Sequence, residues 1–369
     1  MNICHIINDL SRGGAETHLL SLVKVQVEKG HEVTVVLLGN DLYDFISLEK
    51  EFYSLDLRLI RFRGPKKIQG LNPFSLIHAI KIFNNEEFDI VHSHSPRANL
   101  IAHYAQKFSK IKIRHIVTIH GKYGTYLQGT KLVDRIRSYV LLYLSKIWEH
   151  SHQVIVISES IQEWLANLNS KVSSVVIEYG IEVPFVDNIA SFAEYNIGFL
   201  GKLNKNKGIE DLLSAFKELG INSNSKDLNI KLLVGGVGHE AYVNKLKDTV
   251  KGENVDFLGY VTDRKDFFSS LNLFVFPSYS EGLGLVLLEA MAHRVLSLTR
   301  DVTPMNKIIK HQETGFLFET NDDLKIQILN IMKLDNDTET KIQKNALETI
   351  ENSYSIIQMY SSINKVYKD

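Results

Sequence analysis

Residues 3–38 read ICHIINDLSRGGAETHLLSLVKVQVEKGHEVTVVLL, and this stretch decides the fold. It opens on a short apolar run, Ile3–Asn8, followed by a glycine-bearing loop, Ser11-Arg12-Gly13-Gly14. Leu19, Leu20, Leu22, Val23 and Val27 then recur at helical spacing up to Gly30, and a β-branched run, Val33–Leu38, follows. Apolar run, glycine loop, amphipathic helix with a glycine stop and second apolar run make a βαβ unit. Ile90–Val91, Ile113–Ile119 and Val154–Ile157 continue the alternation as further buried strands.

The same opening recurs in the second half. Tyr195–Leu200 reads as a strand and Gly201–Gly208 (GKLNKNKG) as a polar loop. Ile209–Leu219 is helical with a stop expected at Gly220, and Ile230–Val234, Val255–Leu258 and Leu273–Phe276 are strands. Two runs of strand–helix alternation, each with its own glycine loop, predict two doubly wound α/β domains. The join falls in Glu182–Glu194, which contains Pro184 and has no clear period, so the domains are expected at 1–187 and 188–369. The last helix has the option of packing back on the first domain.

Length and composition agree with two cores. The chain has 369 residues, 44% hydrophobic and 23% charged, too apolar for disorder and too long for one ordinary domain. Net charge is −1, which gives no footprint for nucleic acid. That total conceals a first half (1–185) of net +3 and a second half (186–369) of net −4. One cysteine, Cys4, excludes an intrachain disulfide and a cysteine zinc site, and points to a reducing compartment. No apolar run reaches the roughly 18 residues of a membrane span, and the N-terminus lacks a signal-peptide pattern. A cytoplasmic location is expected.

The segment richest in chemistry is 274–292, FVFPSYSEGLGLVLLEAMA. A strand ends at Phe276-Pro277, and Gly282 and Gly284 precede a helix from about Leu285. Free N–H groups at that helix start suit a phosphate. Glu281 and Glu289 flank the start; carboxylates beside a phosphate site need hydroxyls to bind, which fits a nucleotide sugar. Taken alone, the two read as a capping or surface glutamate and a solvated helix-face glutamate.

They do not stand alone, and the chain resembles a family 4 (GT-B fold) retaining glycosyltransferase of the bacterial polysaccharide or glycolipid type. The resemblance runs through Gly13-Gly14-Ala15-Glu16, Thr118-Ile119-His120-Gly121, Tyr179-Gly180-Ile181, Gly198–Leu203 with Lys207-Gly208, Leu233–Gly238, Phe257–Gly259, Glu281…Glu289 and Thr314–Leu317. It implies two facing Rossmann-like domains with the chemistry in a cleft between them, the first on the acceptor side and the second binding the donor. It implies that Glu289 holds the donor ribose, that Glu281 binds a hydroxyl of the transferred sugar, and that Lys202 and Lys207 neutralise the diphosphate. Gly282, Leu283 and Gly284 would present backbone to the donor, as would Gly13 and Gly14. Two lysines on a loop after a strand can stabilise charge on a leaving diphosphate, although Lys202 stands where arginine is common and lacks its bidentate fork. The resemblance places His120, at a strand's carboxyl end, near the sugar's reactive centre.

Other residues have plainer readings. Glu16 is a first-turn acid favoured by the helix dipole. His5 and His18 read as structural or surface residues. His92 and His94 form an H-x-H pair whose side chains share one face of an extended segment; no third metal ligand is identifiable, no metal is expected, and cleft lining is the preferred role. Arg58–Lys67 carries five basic residues and no acid, and Lys107–Arg114 four and none. With the mixed basic, apolar and aromatic stretch Lys131–Trp148, they suit either anionic lipid headgroups or a buried amphipathic helix with solvated charges. His293-Arg294-Val295 and Asp301–Asn306 depart from the family's glycine-rich pattern, so no site residue is taken from them.

The expected activity is a metal-independent, retaining hexosyl transfer from a nucleotide diphosphate sugar to a glycan or lipid-linked glycan. A UDP-sugar is the expected donor, with no cofactor and with peripheral contact at the inner membrane face. Two rivals are a non-catalytic nucleotide-sugar-binding subunit and a Rossmann dehydrogenase using Asp41, which lacks the dinucleotide glycine pattern.

Overall fold

A computed structural model describes residues 1–11, 13–39, 47–62, 73–123, 132–184, 194–222 and 229–369. The chain divides into two compact units, Met1–Gly180 with Ile356–Asp369, and Ile181–Ser355.

The first unit runs β1 (Asn2–Ile7), α1 (Gly14–Glu28), β2 (Glu32–Leu37), α2 (Glu49–Tyr53), β3 (Arg58–Arg61), α3 (Pro73–Asn85), β4 (Ile90–Ser93), α4 (Pro96–Phe108) and β5 (Arg114–Ile119). It continues with α5 (Leu132–Glu149), β6 (Gln153–Val156), α6 (Glu159–Leu168) and β7 (Ser174–Val176). Its seven strands are ordered β3-β2-β1-β4-β5-β6-β7, and every pair is parallel. A parallel sheet is covered on both faces, so its central strands can be apolar almost throughout. In β1, Ile3, Cys4, Ile6 and Ile7 are all buried. On one face Cys4, Ile6 and Val91 pack with Ala98, Ile101 and Ala105 of α4. On the other, Ile3, Ile90 and Ile116 pack with Leu22 of α1 and with Met359, Ile363 and Tyr367, which lie on the chain's last helix (Ile356–Lys368).

The second unit runs β8 (Tyr195–Leu200), α7 (Ile209–Asn222), β9 (Ile230–Gly235), α8 (Glu240–Thr249), β10 (Val255–Gly259), α9 (Arg264–Ser269), β11 (Leu273–Phe276) and α10 (Leu285–Ala292). Then come β12 (Leu296–Arg300), α11 (Met305–Ile308), β13 (Phe316–Phe318), α12 (Asn321–Ile331) and α13 (Asn336–Ser353); the last helix of the chain is α14. The order is β10-β9-β8-β11-β12-β13, again all parallel. The central strands Ile197, Phe199, Leu232, Val234, Leu273 and Val275 form one core with Leu212, Leu213 and Phe216 of α7.

Several elements differ from the sequence expectation. α7 does not stop at Gly220 but reaches Asn222, since an internal glycine weakens a helix by only about 1 kcal/mol. β3, β7, β12 and β13 were not anticipated. β12 is buried throughout yet reads LSLTR, because Thr299 Oγ1 donates to the Phe276 carbonyl (2.8 Å) and Arg300 is satisfied by neighbouring oxygens. β3 is made from the first basic run. Its Arg58 pairs with Glu86 at 2.6 Å and Arg61 with Glu49 at 2.9 Å, so part of the basic run is neutralised within the first unit. Residues 63–67 of that run, Lys131, Asp41 and most of the join lie outside the described residues. Among the described residues no helix is long and apolar enough to cross a membrane.

Candidate active site

In an open parallel sheet, ligands bind beyond the strands' carboxyl ends, where the strand order reverses. In the second unit that point lies between β8 and β11. The loops leaving those two strands hold Lys202, Lys207 and Glu281, and Glu289 follows on α10. Lys202 is exposed on the first loop, and Lys207 ends a single 3-10 turn, Lys205–Lys207. Gly208 follows with φ +65, and a Cβ there would collide with the Pro277 carbonyl. Glycine therefore lets the two loops meet backbone to backbone, where Tyr279 N–H donates to the Asn206 carbonyl (2.9 Å).

This approach puts Lys207 Nζ 2.5 Å from Glu281 Oε1, with both side chains largely buried. Gly284 caps α10 in the left-handed region (φ 92), and Leu283 anchors the turn with 2% exposure. The first-turn N–H groups of such a helix have no intrahelical partner and suit an anion. Glu289, in the second turn, is held by Arg264 at the start of α9. Behind the loop, buried Arg300 donates to the Pro277 carbonyl and to Asp211 (2.7 Å), and Asp211 also accepts from Tyr279 Oη (2.6 Å). Sequence reasoning missed Arg264, Arg300 and Asp211: each lies on a different element from its partner, and no local spacing announces the pairing.

In the first unit the order reverses between β1 and β4. Gly13 is the N-cap of α1 with extended backbone (φ −130), and Gly14 is the helix's first residue; both are exposed. Gly13 is not required for its backbone angle. A Cβ there would collide with the Glu16 carboxylate. Glu16 lies in the first turn of α1, as expected; burial, opposed by a hydrogen bond from its own backbone and reinforced by Asp9, pushes its pKa from 4.5 up to about 7.

His120 directly follows β5. Its Nδ1 is 2.6 Å from Tyr179 Oη and its Nε2 3.3 Å from His94 Nδ1, and burial pushes its pKa down to about 3. His5, His18, His92 and His94 are all buried, which removes both the surface reading of His18 and the lining role of His92 and His94. His92 and His94 do share a face, with ring centroids 4.1 Å apart. His5 supplies the third potential ligand that the sequence did not reveal, the three donor atoms lying within 4.8 Å of one another. A cation there would have to displace existing hydrogen bonds, since His5 Nδ1 is 2.9 Å from His94 Nε2 and His92 spans Tyr367 and Thr118. His18 stacks on Tyr179 at 4.5 Å, and both of its buried nitrogens lack a hydrogen-bond partner among the described residues.

Two parallel α/β units, with cations and carboxylates gathered at the switch point of the second, define a two-domain α/β protein with a ligand site suited to an anion. Comparisons with known proteins narrow this. Residues 12–183 match Glycosyltransferase Family 4 and residues 191–349 match Glycosyl transferases group 1. The chain is 30% identical over 317 residues to the Staphylococcus aureus capsular polysaccharide biosynthesis glycosyltransferase CapM, covering 79% of this chain and 80% of that one. It is 24% identical over 388 residues to the Bacillus anthracis N-acetyl-alpha-D-glucosaminyl L-malate synthase, covering 97% and 94%. Its fold is similar to Anabaena HepE in complex with UDP-glucose (TM-score 0.79, 16% identity, covering 100% and 99%). The chain belongs to the family 4 glycosyltransferases of the GT-B fold. It is a glycosyltransferase, and the dehydrogenase alternative is set aside.

Proposed function

We propose that the chain is a retaining, metal-independent hexosyltransferase that moves a sugar from a nucleoside diphosphate sugar, a UDP-sugar being expected, to a glycan or lipid-linked glycan acceptor. The observation that carries this is the gathering of Lys207, Glu281, Arg264 and Glu289 around the start of α10. A diphosphate is the natural competitor for Lys207 and, with Lys202 nearby in sequence, has fixed cations to stabilise the charge it gains on leaving. Those cations are the support for a metal-free reaction. Once Lys207 turns to phosphate, Glu281 can accept from a sugar hydroxyl, and Glu289 can accept from the ribose.

In the transfer, the bond from the anomeric carbon to the diphosphate breaks with its electron pair going to the phosphate oxygen. The acceptor hydroxyl oxygen makes the new bond on the same face, and its proton ends on the departing diphosphate. Gly13, Gly14 and His120 are assigned to the transferred sugar on the strength of the family resemblance.

A role in capsule or O-antigen type assembly is supported by the relatives: besides CapM, the Escherichia coli O-antigen biosynthesis glycosyltransferase WclY is 23% identical over 316 residues. A cytoplasmic enzyme working at the inner membrane face fits a lipid-linked acceptor, and Tyr139, Val140, Leu142 and Tyr143 are exposed together on α5. A thermal-shift panel of UDP-, GDP- and ADP-sugars, followed by donor hydrolysis with and without EDTA, tests the donor and the metal. NMR of the product's anomeric configuration tests retention. The reading expects a shift with one base only, EDTA-insensitive turnover and a retained anomer; no shift with any donor would overturn it.

A further inference from the structure

His120 is one end of a continuous hydrogen-bonded chain through the first unit's core. Its Nε2 lies 3.3 Å from His94 Nδ1, His94 Nε2 lies 2.9 Å from His5 Nδ1, and His5 Nε2 lies 2.8 Å from Gln26 Oε1. Gln26 Nε2 in turn donates to Tyr367 Oη on α14 (3.3 Å), which is 2.7 Å from His92 Nδ1. His92 Nε2 closes the series on Thr118 Oγ1 at 2.6 Å.

The direction of every bond follows from the amide. Gln26 Oε1 can only accept, so His5 carries its proton on Nε2. A neutral imidazole has one donor and one acceptor, and burial keeps these rings neutral: the His5 pKa falls to about 4, His120 to about 3, and His94 well below its ordinary 6.5. His5 Nδ1 therefore accepts from His94 Nε2–H, His94 Nδ1 accepts from His120 Nε2–H, and His120 Nδ1 accepts from Tyr179 Oη–H (2.6 Å). On the other branch Tyr367 accepts from Gln26, donates to His92 Nδ1, and His92 Nε2–H donates to Thr118. No bond in the series needs a second proton or lacks one.

We infer that Gln26, His5 and His94 are positioning residues that fix the tautomer of His120, holding its proton on Nε2 so that it meets an oxygen-rich substrate as a donor and not as a base. The 3.3 Å bond to His94 is the longest between rings in the chain, so the proton it shares is the one most easily re-aimed at a sugar oxygen. The role assigned to His120 rests on the proposed function; the tautomer lock does not.

The test is long-range 1H–15N NMR of the full chain labelled at histidine nitrogens, with His120 assigned by its loss in His120→Ala. The expected result is Nε2–H at His5, His94 and His120 in the wild type and a mixed tautomer at His120 in Gln26→Leu. Gln26→Glu, which keeps an acceptor facing His5, should restore the wild-type pattern at His120. Donor turnover in Gln26→Leu should fall about two- to fivefold in kcat, the share of molecules losing the donor, with KM unchanged. A wild-type His120 protonated on Nδ1 overturns the inference, whether or not the variants fold, and so does a folded Gln26→Leu with an unchanged His120. Wild-type-like turnover in His120→Ala with the expected spectra would instead overturn its assignment to the sugar and leave the lock standing.

Discussion

Lys207 Nζ lies 2.5 Å from Glu281 Oε1, joining the loop after β8 to the loop after β11 with an ion pair that is largely out of water. Removing one partner leaves the other charge poorly solvated, so each single variant should destabilise and the pair should be strongly non-additive. For Lys207→Met and Glu281→Gln, a double-mutant cycle in urea unfolding should give about 1–2 kcal/mol of coupling. Saturating donor should shrink that coupling, because a diphosphate takes over Lys207. Coupling unchanged by donor would show that the pair is a structural brace only.

The first unit should unfold in mild acid before the second. His5, His18, His92, His94 and His115 are buried and His120 is partly buried, all with lowered pKa values. The unfolded chain binds protons on them below about pH 6.5 while the folded chain does not, so their contribution is lost as pH falls through that window. At about pH 5.5 the loss is about 1.4 kcal/mol per histidine and about 8 kcal/mol for all six, comparable with a whole domain's stability. The chain's two tryptophans, Trp148 and Trp164, both lie in the first unit. Tryptophan fluorescence should therefore change between pH 6.5 and 4, ahead of the remaining far-UV signal; coincident transitions would contradict this.

Glu16 has the opposite dependence. Its folded pKa of about 7 exceeds the ordinary 4.5, so the folded state binds the proton more tightly and stability falls as pH rises from 4.5 to 7. Glu16→Gln should stabilise by up to about 3 kcal/mol above pH 7, and the gain should vanish near pH 4.5. Paired urea melts at the two pH values measure it, and a gain independent of pH would refute the burial argument.

Arg294 occupies a position built for glycine. Val295 N–H bonds to the Ala290 carbonyl and Arg294 N–H to that of Met291, the Schellman pattern that ends α10, with Arg294 at φ 59. Arg294→Gly should raise stability by about 0.5–1 kcal/mol, the relief of a left-handed side-chain residue less the extra entropy of an unfolded glycine. A melting temperature that falls would mean that the arginine side chain makes a compensating contact.

Legibility in the sequence followed whether a feature is local. β1, β8 and β11 were readable because parallel central strands are apolar runs beside glycine loops; Lys202, Lys207 and Glu281 were readable because they lie on the loops those strands lead into, and Glu289 because it follows on the helix after one of them. Arg264 was not, since only the packing of α9 against α10 brings it to Glu289. β12 was hidden by Ser297, Thr299 and Arg300, polar side chains that are buried because the fold supplies their partners. The histidine chain was the least legible. His5 and His92 come from two strands, His120 from just beyond a third and Gln26 from a helix, and neither their burial nor their order of bonding has a one-dimensional signature.

The central claim is that the second unit's switch-point residues hold a nucleoside diphosphate sugar for transfer. Hydrolysis of the donor identified by thermal shift, followed for the wild type, Lys207→Ala and Glu289→Ala at matched melting temperature, tests it most directly. The account predicts that kcat/KM falls about a hundredfold or more in each variant, about 3 kcal/mol of transition-state stabilisation, with the fold intact. Wild-type turnover in both variants would contradict it.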